Sequence, residues 1–184
     1  LEITRDIASR FNYIFPETLI LPETKVDERV MIVPGTDGQK MSKSHNNVIN
    51  IFLSNKKLRK QIMGIKTDST PIEIPKDAKN CNVFKIYKLL ATDKKSKALE
   101  AKYNAGNYGY GDAKKELFEF ICDKYKDQKE RYSYLMENKD ILDEELLKGA
   151  KKARIIAREV LNRVRNNIGY WYYFLLLYLL NNSF

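Results

Sequence analysis

From Asn82 to Arg165 the apolar residues recur every three or four positions, with charged side chains between them and no proline to interrupt them. Residues three and four apart share one face of a helix, so this part of the chain is committed to amphipathic helices rather than to a sheet. Val83, Ile86, Tyr87, Leu89 and Leu90 form one such face, and the pattern continues through KSKALEAKYNAG to Gly106, where a helix C-terminus is expected. A glycine turn from Gly106 to Gly111 follows, with Asp112 expected as the N-cap of a helix burying Leu117, Phe118, Ile121 and Tyr125. The longest pattern runs from about Asp143 to Arg165. It sets Leu146, Leu147, Ala150, Ala153, Ile156, Ala157, Val160, Leu161 and Val164 at helical spacing among lysines and arginines. The predicted product is a mostly α fold ending in a bundle of about five helices.

The residues before Asn82 are more broken. Ile3, Ile7, Phe11 and Ile14 mark a first helix, which Pro16 and Pro22 end in a connecting loop. Arg29 to Val33 is a short β-branched apolar run suited to a buried strand. A polar loop follows, then a helix from about Asn55 to Ile65 with Ser54 or Asn55 as N-cap, then a loop holding Pro71 and Pro75. The boundary therefore falls between Lys66 and Asn80, giving a first domain over 1–66 and a helical one over 67–169. The chain lacks an initiator methionine and opens inside a helical pattern, so it reads as a fragment. Residues 170–184 form an atypical tail. Its eleven apolar or aromatic residues from Tyr170 to Leu180 fall short of a membrane span, which needs about 20. They suit a docked terminal helix, a dimer cover or an aberrant read-through alike.

The 184 residues carry 33 basic and 24 acidic side chains, a formal charge of +9. Such a balance favours a polyanionic partner, nucleic acid or nucleotide phosphate. Cys81 and Cys122 belong to no CxxC pair, and neither sits near the single histidine, His45, at metal-ligand spacing. No metal site or disulfide framework is expected. The charged LEITRDIASRFN start is not a signal peptide, and a reducing cytoplasm is the expected compartment.

The loop VPGTDGQKMSKSHNN, Val33 to Asn47, holds the chemistry. Lys40 and Lys43 set two ammonium charges where a polyphosphate can collect them, and Ser42 and Ser44 offer hydroxyl donors to the same oxygens. Gly35 and Gly38 give backbone freedom, and Thr36 and Asp37 favour a turn between them. It is not a Walker A loop, which would read GxxxxGK[ST] and pass from strand directly into helix.

KMSKS, Lys40 to Ser44, is letter for letter the second signature of the class I aminoacyl-tRNA synthetases. The whole loop resembles the version in the bacterial tryptophanyl-tRNA synthetase family. LEITRDIASRFN, RKQIMGIKTDST, YNAGNYGYGDAKKEL and ELLKGAKKARIIAREVLNRVR extend the resemblance over residues 1 to about 169. It implies that 1–66 are the end of a Rossmann-type nucleotide-binding catalytic domain and that 67–169 are an α-helical anticodon-binding domain. In that family ATP and tryptophan form tryptophanyl-adenylate and pyrophosphate, and the tryptophanyl group passes to tRNA(Trp). ATP with Mg2+ is the implied cofactor, a homodimer the implied assembly, and no membrane is involved.

Carried over residue by residue, Lys40 and Lys43 match the signature lysines that neutralise charge on the leaving pyrophosphate, Lys43 with the larger effect. The strand backbone around Val30 and Met31 matches the place where adenine is held. Met41 packs the loop, and Ser42 and Ser44 bind phosphate or shape the turn. His45 stands where another polar or aromatic residue is frequent and reads as a solvated loop histidine. The family's first signature, HIGH, and its tryptophan pocket have no match in this sequence, so the chain alone is expected to be inactive. Tyr103, Tyr108, Tyr110, Tyr132 and Tyr134 are candidates for stacking unpaired anticodon bases. The alternative is a basic helical RNA-binding module whose phosphate loop is vestigial. A tyrosyl-type synthetase, which shares the signature, is disfavoured by GNYGYGDAKKEL and the helical ending.

Overall fold

A computed structural model describes residues 1–25 and 32–170, and it is mostly helical, with no strand among those residues. Among the described residues seven named α-helices follow one another: α1 (Glu2–Ile14), α2 (Asn55–Met63), α3 (Asn82–Leu90), α4 (Asp93–Ala105), α5 (Tyr110–Lys124), α6 (Lys126–Glu137) and α7 (Lys139–Asn167). They fall into two compact units, one made of residues 1–25 with the segment from Asn138 onward, the other of Val26–Glu137. The expected strand over Arg29 to Val33 lies largely outside the described residues. So does the apolar tail beyond Tyr170.

The larger unit has one apolar core. Leu58 and Ile62 of α2, Val83 of α3, Leu99 and Tyr103 of α4 and Leu117 and Ile121 of α5 are all at most 1% exposed. Burying each such side chain contributes about 1.5–3 kcal/mol, so these contacts, rather than helix propensity, hold the short helices together. α5 packs on α2 and α3, and α3 on α4. Ala113 presents only a methyl where α5 enters the core and is fully buried. Phe118 and Tyr125, expected in the core, are half-buried and pack against it.

Helix ends follow local chemistry. The pattern expected to run on to Gly106 breaks at Ala91, and Thr92 starts α4 by accepting the Lys95 amide on its hydroxyl at 3.5 Å. Gly106 ends α4 at φ +71°, and a Cβ there would sit 2.6 Å from the Glu73 carbonyl oxygen, so only glycine fits. Asp112 is not the N-cap of α5. The helix begins two residues earlier at Tyr110 behind Gly109, which leaves Asp112 in the first turn, where an acidic side chain suits the helix dipole. α2 closes at Met63 rather than Ile65, with Gly64 donating back to Lys60 and Gln61 at 3.1 Å. Lys114 of α5 donates to the Met63 carbonyl at 3.1 Å and Lys124 to that of Leu90 at 2.6 Å, capping the C-terminal ends of α2 and α3. Burial lowers the Lys114 pKa.

The Pro71 to Pro75 loop is held by a buried cation. Lys76, 4% exposed, donates to the carbonyls of Pro71 (2.9 Å), Ile72 (3.3 Å) and Ile74 (3.3 Å) and lies 5.3 Å from the centre of the Tyr110 ring. Its own amide donates to Tyr103 at 2.8 Å.

In the smaller unit, Thr18 is fully buried. Arg163 of α7 donates to its carbonyl at 2.6 Å and Asn167 to its hydroxyl, while Asn12 of α1 exchanges two hydrogen bonds with Leu19 at 2.6 and 2.8 Å. The helix predicted from Asp143 to Arg165 is longer at both ends. Several of its apolar positions are not covered among the described residues: Leu146, Leu147 and Ile156 are each more than 60% exposed.

Candidate phosphate-binding loop

Between the described end of the predicted strand and α2, the chain folds into a tight hairpin-like loop. Pro34 and Lys40 form an antiparallel bridge; Gly35 donates to Gln39 at 2.7 Å and Met41 to Val33 at 2.8 Å. Asp37 makes the turn, accepting the Gln39 amide at 3.0 Å. Gly38 takes φ +85°, with a Cβ position only 2.6 Å from Oδ1 of Asn82, the first residue of α3. The Asn82 side chain in turn donates to the Lys66 carbonyl at 3.0 Å, and the Lys66 amide donates to Thr36 at 2.7 Å. The turn of the loop is thereby fixed to the helical core.

Asn47 is the organising residue. It is 2% exposed. Its Oδ1 accepts the Ser42 amide at 2.7 Å, and its Nδ2 donates to Asp37 Oδ1 at 2.8 Å and to the Lys40 carbonyl at 3.1 Å. Its own carbonyl accepts the Thr36 amide at 2.9 Å. One buried amide thus joins both sides of the loop, and the hydrogen bond it gives is the main reason the Asp37 pKa is lowered. Gly35 is required beside it, because a Cβ there would collide with the Asn47 side chain. The KMSKS signature marks Lys40, Lys43 and the serines but not Asn47. The available signal was a short amide side chain a few residues beyond a glycine turn, a residue type that bonds local backbone groups.

The described phosphate-binding candidates lie on this frame. Lys40 and Lys43 are exposed, with no ion pair to either among the described residues. Met41 is half-buried. Lys43 to His45 form one turn of 3-10 helix closed by Asn46 at φ +52°. Ser42 and Ser44 bring their hydroxyl oxygens to 2.7 Å. One hydrogen is shared in that contact, so the pair keeps a second to donate outward. His45 is exposed, its side chain turned to solvent. Val30 and Met31 lie outside the described residues.

Several comparisons bear on this arrangement. The family profile described as tRNA synthetases class I (W and Y) matches residues 1–126. Tryptophan–tRNA ligase of Campylobacter jejuni (strain RM1221) is 47% identical over 169 residues, covering 92% of this chain and 53% of the relative. The Fusobacterium nucleatum subsp. nucleatum enzyme is 46% identical over 170 residues, covering 92% and 52%. A crystal structure of the C. jejuni tryptophanyl-tRNA synthetase complexed with ADP and tryptophan superposes with a TM-score of 0.78 at 47% identity, over 91% of this chain and 53% of that one. The chain spans about half the length of the relatives it matches. Because the matched stretch takes in the loop, the helix after it and the core behind both, the chain belongs to the class I tRNA synthetases for tryptophan and tyrosine, with bacterial tryptophan–tRNA ligases as its relatives.

Proposed function

We propose that this chain is the part of a tryptophan–tRNA ligase that grips the phosphates of ATP during tryptophan activation and binds tRNA(Trp). The observation that carries the reading is the pair of exposed lysines, Lys40 and Lys43, without an ion pair among the described residues, on a loop whose backbone is locked by Asn47. Attack of the tryptophan carboxylate on the α-phosphorus forms tryptophanyl-adenylate and expels pyrophosphate. Negative charge grows on the leaving group, and Lys40 and Lys43 neutralise it, with Lys43 carrying the larger share. The spare hydroxyl hydrogen of the Ser42 and Ser44 pair serves a phosphate oxygen, and Met41 keeps the loop seated. The backbone at Val30 and Met31 holds the adenine. No general base is needed, because the attacking carboxylate is already an anion.

Among the described residues no group of three His, Cys, Asp or Glu side chains is placed to hold a metal ion. Mg2+ would enter bound to the ATP phosphates. Residues 1–66 serve as the end of the catalytic domain and 67–169 as the tRNA-binding part, with the intact ligase a cytoplasmic homodimer. No described helix is long and apolar enough to cross a membrane.

The test is tryptophan-dependent exchange of pyrophosphate into ATP, with the chain joined to the remaining half of a ligase of this family. Lys43→Ala should slow exchange by about 100- to 1,000-fold, the usual loss for one electrostatic stabiliser of a transition state. Exchange at the parent rate in the Lys40→Ala/Lys43→Ala double variant would overturn the proposal. The vestigial-loop alternative predicts tRNA binding with steep salt dependence and no response to ATP.

A further inference from the structure

The fold separates the five candidate tyrosines sharply. Tyr103 is fully buried, with Cys81 Sγ 3.4 Å from its hydroxyl. Tyr108 and Tyr110 are half-buried and spend their hydroxyls on Glu116 (2.8 Å) and Asp68 (2.7 Å). Burial, followed by that hydrogen bond, pushes the Tyr110 phenol up to about 12. Tyr132 and Tyr134 on α6 are more exposed, at 42% and 45%.

Tyr132 also has a partner that no sequence pattern links to it. Phe52, 41% exposed in the segment leading into α2, stacks on it with ring centres 4.7 Å apart at 30°. The two rings sit in an apolar groove of about 470 Å³ completed by Asp127, Gln128, Arg131 and Leu135, within the size range of clefts that hold small ligands, about 300–1,000 Å³. The Lys129 ammonium donates to Asn55 Oδ1 at 2.6 Å and fixes α6 against the start of α2. α2 carries Lys56, Lys57, Arg59 and Lys60, all exposed, and no acidic residue. The Arg131 guanidinium lies 5.4 Å from the centre of the Tyr134 ring.

We propose that this groove is a stacking site for one unpaired base of the tRNA, with Phe52 and Tyr132 as the platform. The inference rests on the tRNA-binding reading above and adds the place and the residues. A stacked pair of aromatic rings, each about two-fifths exposed, next to a helix whose exposed charged residues are all basic suits a ligand that is flat and apolar in its base but anionic in its backbone. An apolar protein partner would leave the four α2 cations without counter-charge. Gln128 and the Asp127 carboxylate stand at the rim, where they can meet the polar edge of a stacked base, the carboxylate favouring one with an exocyclic amine.

The experiment is filter binding of the full chain to a tRNA(Trp) transcript and to a fully paired RNA duplex of similar length, across a salt series. Phe52→Leu keeps the apolar contact with Tyr132 and removes the π face. It should weaken tRNA binding by about 5- to 150-fold, the range for removing one base–aromatic stack, and leave the duplex affinity and the salt slope unchanged. Tyr132→Phe should bind as the parent does, and Tyr132→Ala as Phe52→Leu does. Lys56→Ala should instead lower affinity for both RNAs and reduce the salt slope. Unchanged tRNA binding by both Phe52→Leu and Tyr132→Ala overturns the groove and leaves the tRNA reading standing. A parent chain that binds tRNA no better than duplex at any salt overturns both.

Discussion

Replacing Asn47 with alanine cuts the one side chain that joins the two sides of the loop. Two of the bonds lost are neutral, from the Ser42 amide at 2.7 Å and to the Lys40 carbonyl at 3.1 Å. At about 1 kcal/mol net for each neutral bond, local opening of the loop becomes easier by about 2 kcal/mol. The third bond lost, to Asp37 at 2.8 Å, goes to a solvated carboxylate. A 2 kcal/mol change in opening free energy is about 30-fold in an equilibrium constant. Native-state amide hydrogen exchange reads this directly: the Ser42 amide should exchange about 30-fold faster, while amides in the core of α5 keep their rates. Asn47→Asp keeps the shape but replaces the donor by a second carboxylate facing Asp37 and the Lys40 carbonyl. It should open the loop further at neutral pH and recover on acidification, as that carboxylate gains a proton. A Ser42 amide protected in Asn47→Ala to within threefold of the parent would refute the idea that a single amide sets the loop.

Acid sensitivity is the next expectation. Side-chain hydrogen bonds from Asn47, Thr70 and Asn80 are the chief reason that the carboxyls of Asp37, Asp68 and Asp77, respectively, are held below the usual aspartate range. A depressed folded-state pKa gives stability that is present above the unfolded value and is lost as pH falls through the folded one. The urea midpoint should therefore fall below about pH 4, and Asp68→Asn with Asp77→Asn should flatten that fall; an acid slope unchanged in the double variant would contradict it. Lys76→Met removes a charged donor shared by three carbonyls and should lower unfolding free energy by about 2–3 kcal/mol in urea titration. A variant as stable as the parent would show that the bonds to Lys76 do not hold the Pro71 to Pro75 loop.

The helices were legible where periodicity and capping chemistry coincide. α4 ends at Gly106 as expected because a Cβ there would meet the Glu73 carbonyl, and α2 begins at Asn55, after Ser54, where the apolar spacing of Leu58 and Ile62 places it, although the Ser54 side chain makes no cap hydrogen bond. Asp112 misled because a good N-cap residue type is equally suited to the first helical turn, and the core contact of Ala113 draws α5 back to Tyr110. For the loop, the lysines and serines could be read from the signature they spell. Asn47 could not, since its importance lies in reaching Ser42, Asp37 and Lys40 at once, a property of the folded turn. The pairing of Phe52 with Tyr132 was hidden for the same reason: they are far apart in sequence and meet only through α6. Among tyrosines of equal composition value, burial alone decides which rings face outward.

The two lysines with which α5 stops its neighbours make that helix a measuring rod. Lys114 and Lys124 are ten residues apart, about 15 Å along the axis at 1.5 Å per residue and about 80° apart around it at 100° per residue. The distance between the carbonyl ends of α2 and α3, and the directions from which each is reached, are thus written into the length of a third element. Loss of a single residue between the two positions shifts one ammonium group by about 1.5 Å and turns it by about 100°. Point changes on the outer face of α5 leave this gauge intact, whereas an insertion or deletion inside it takes the stop off one helix or the other.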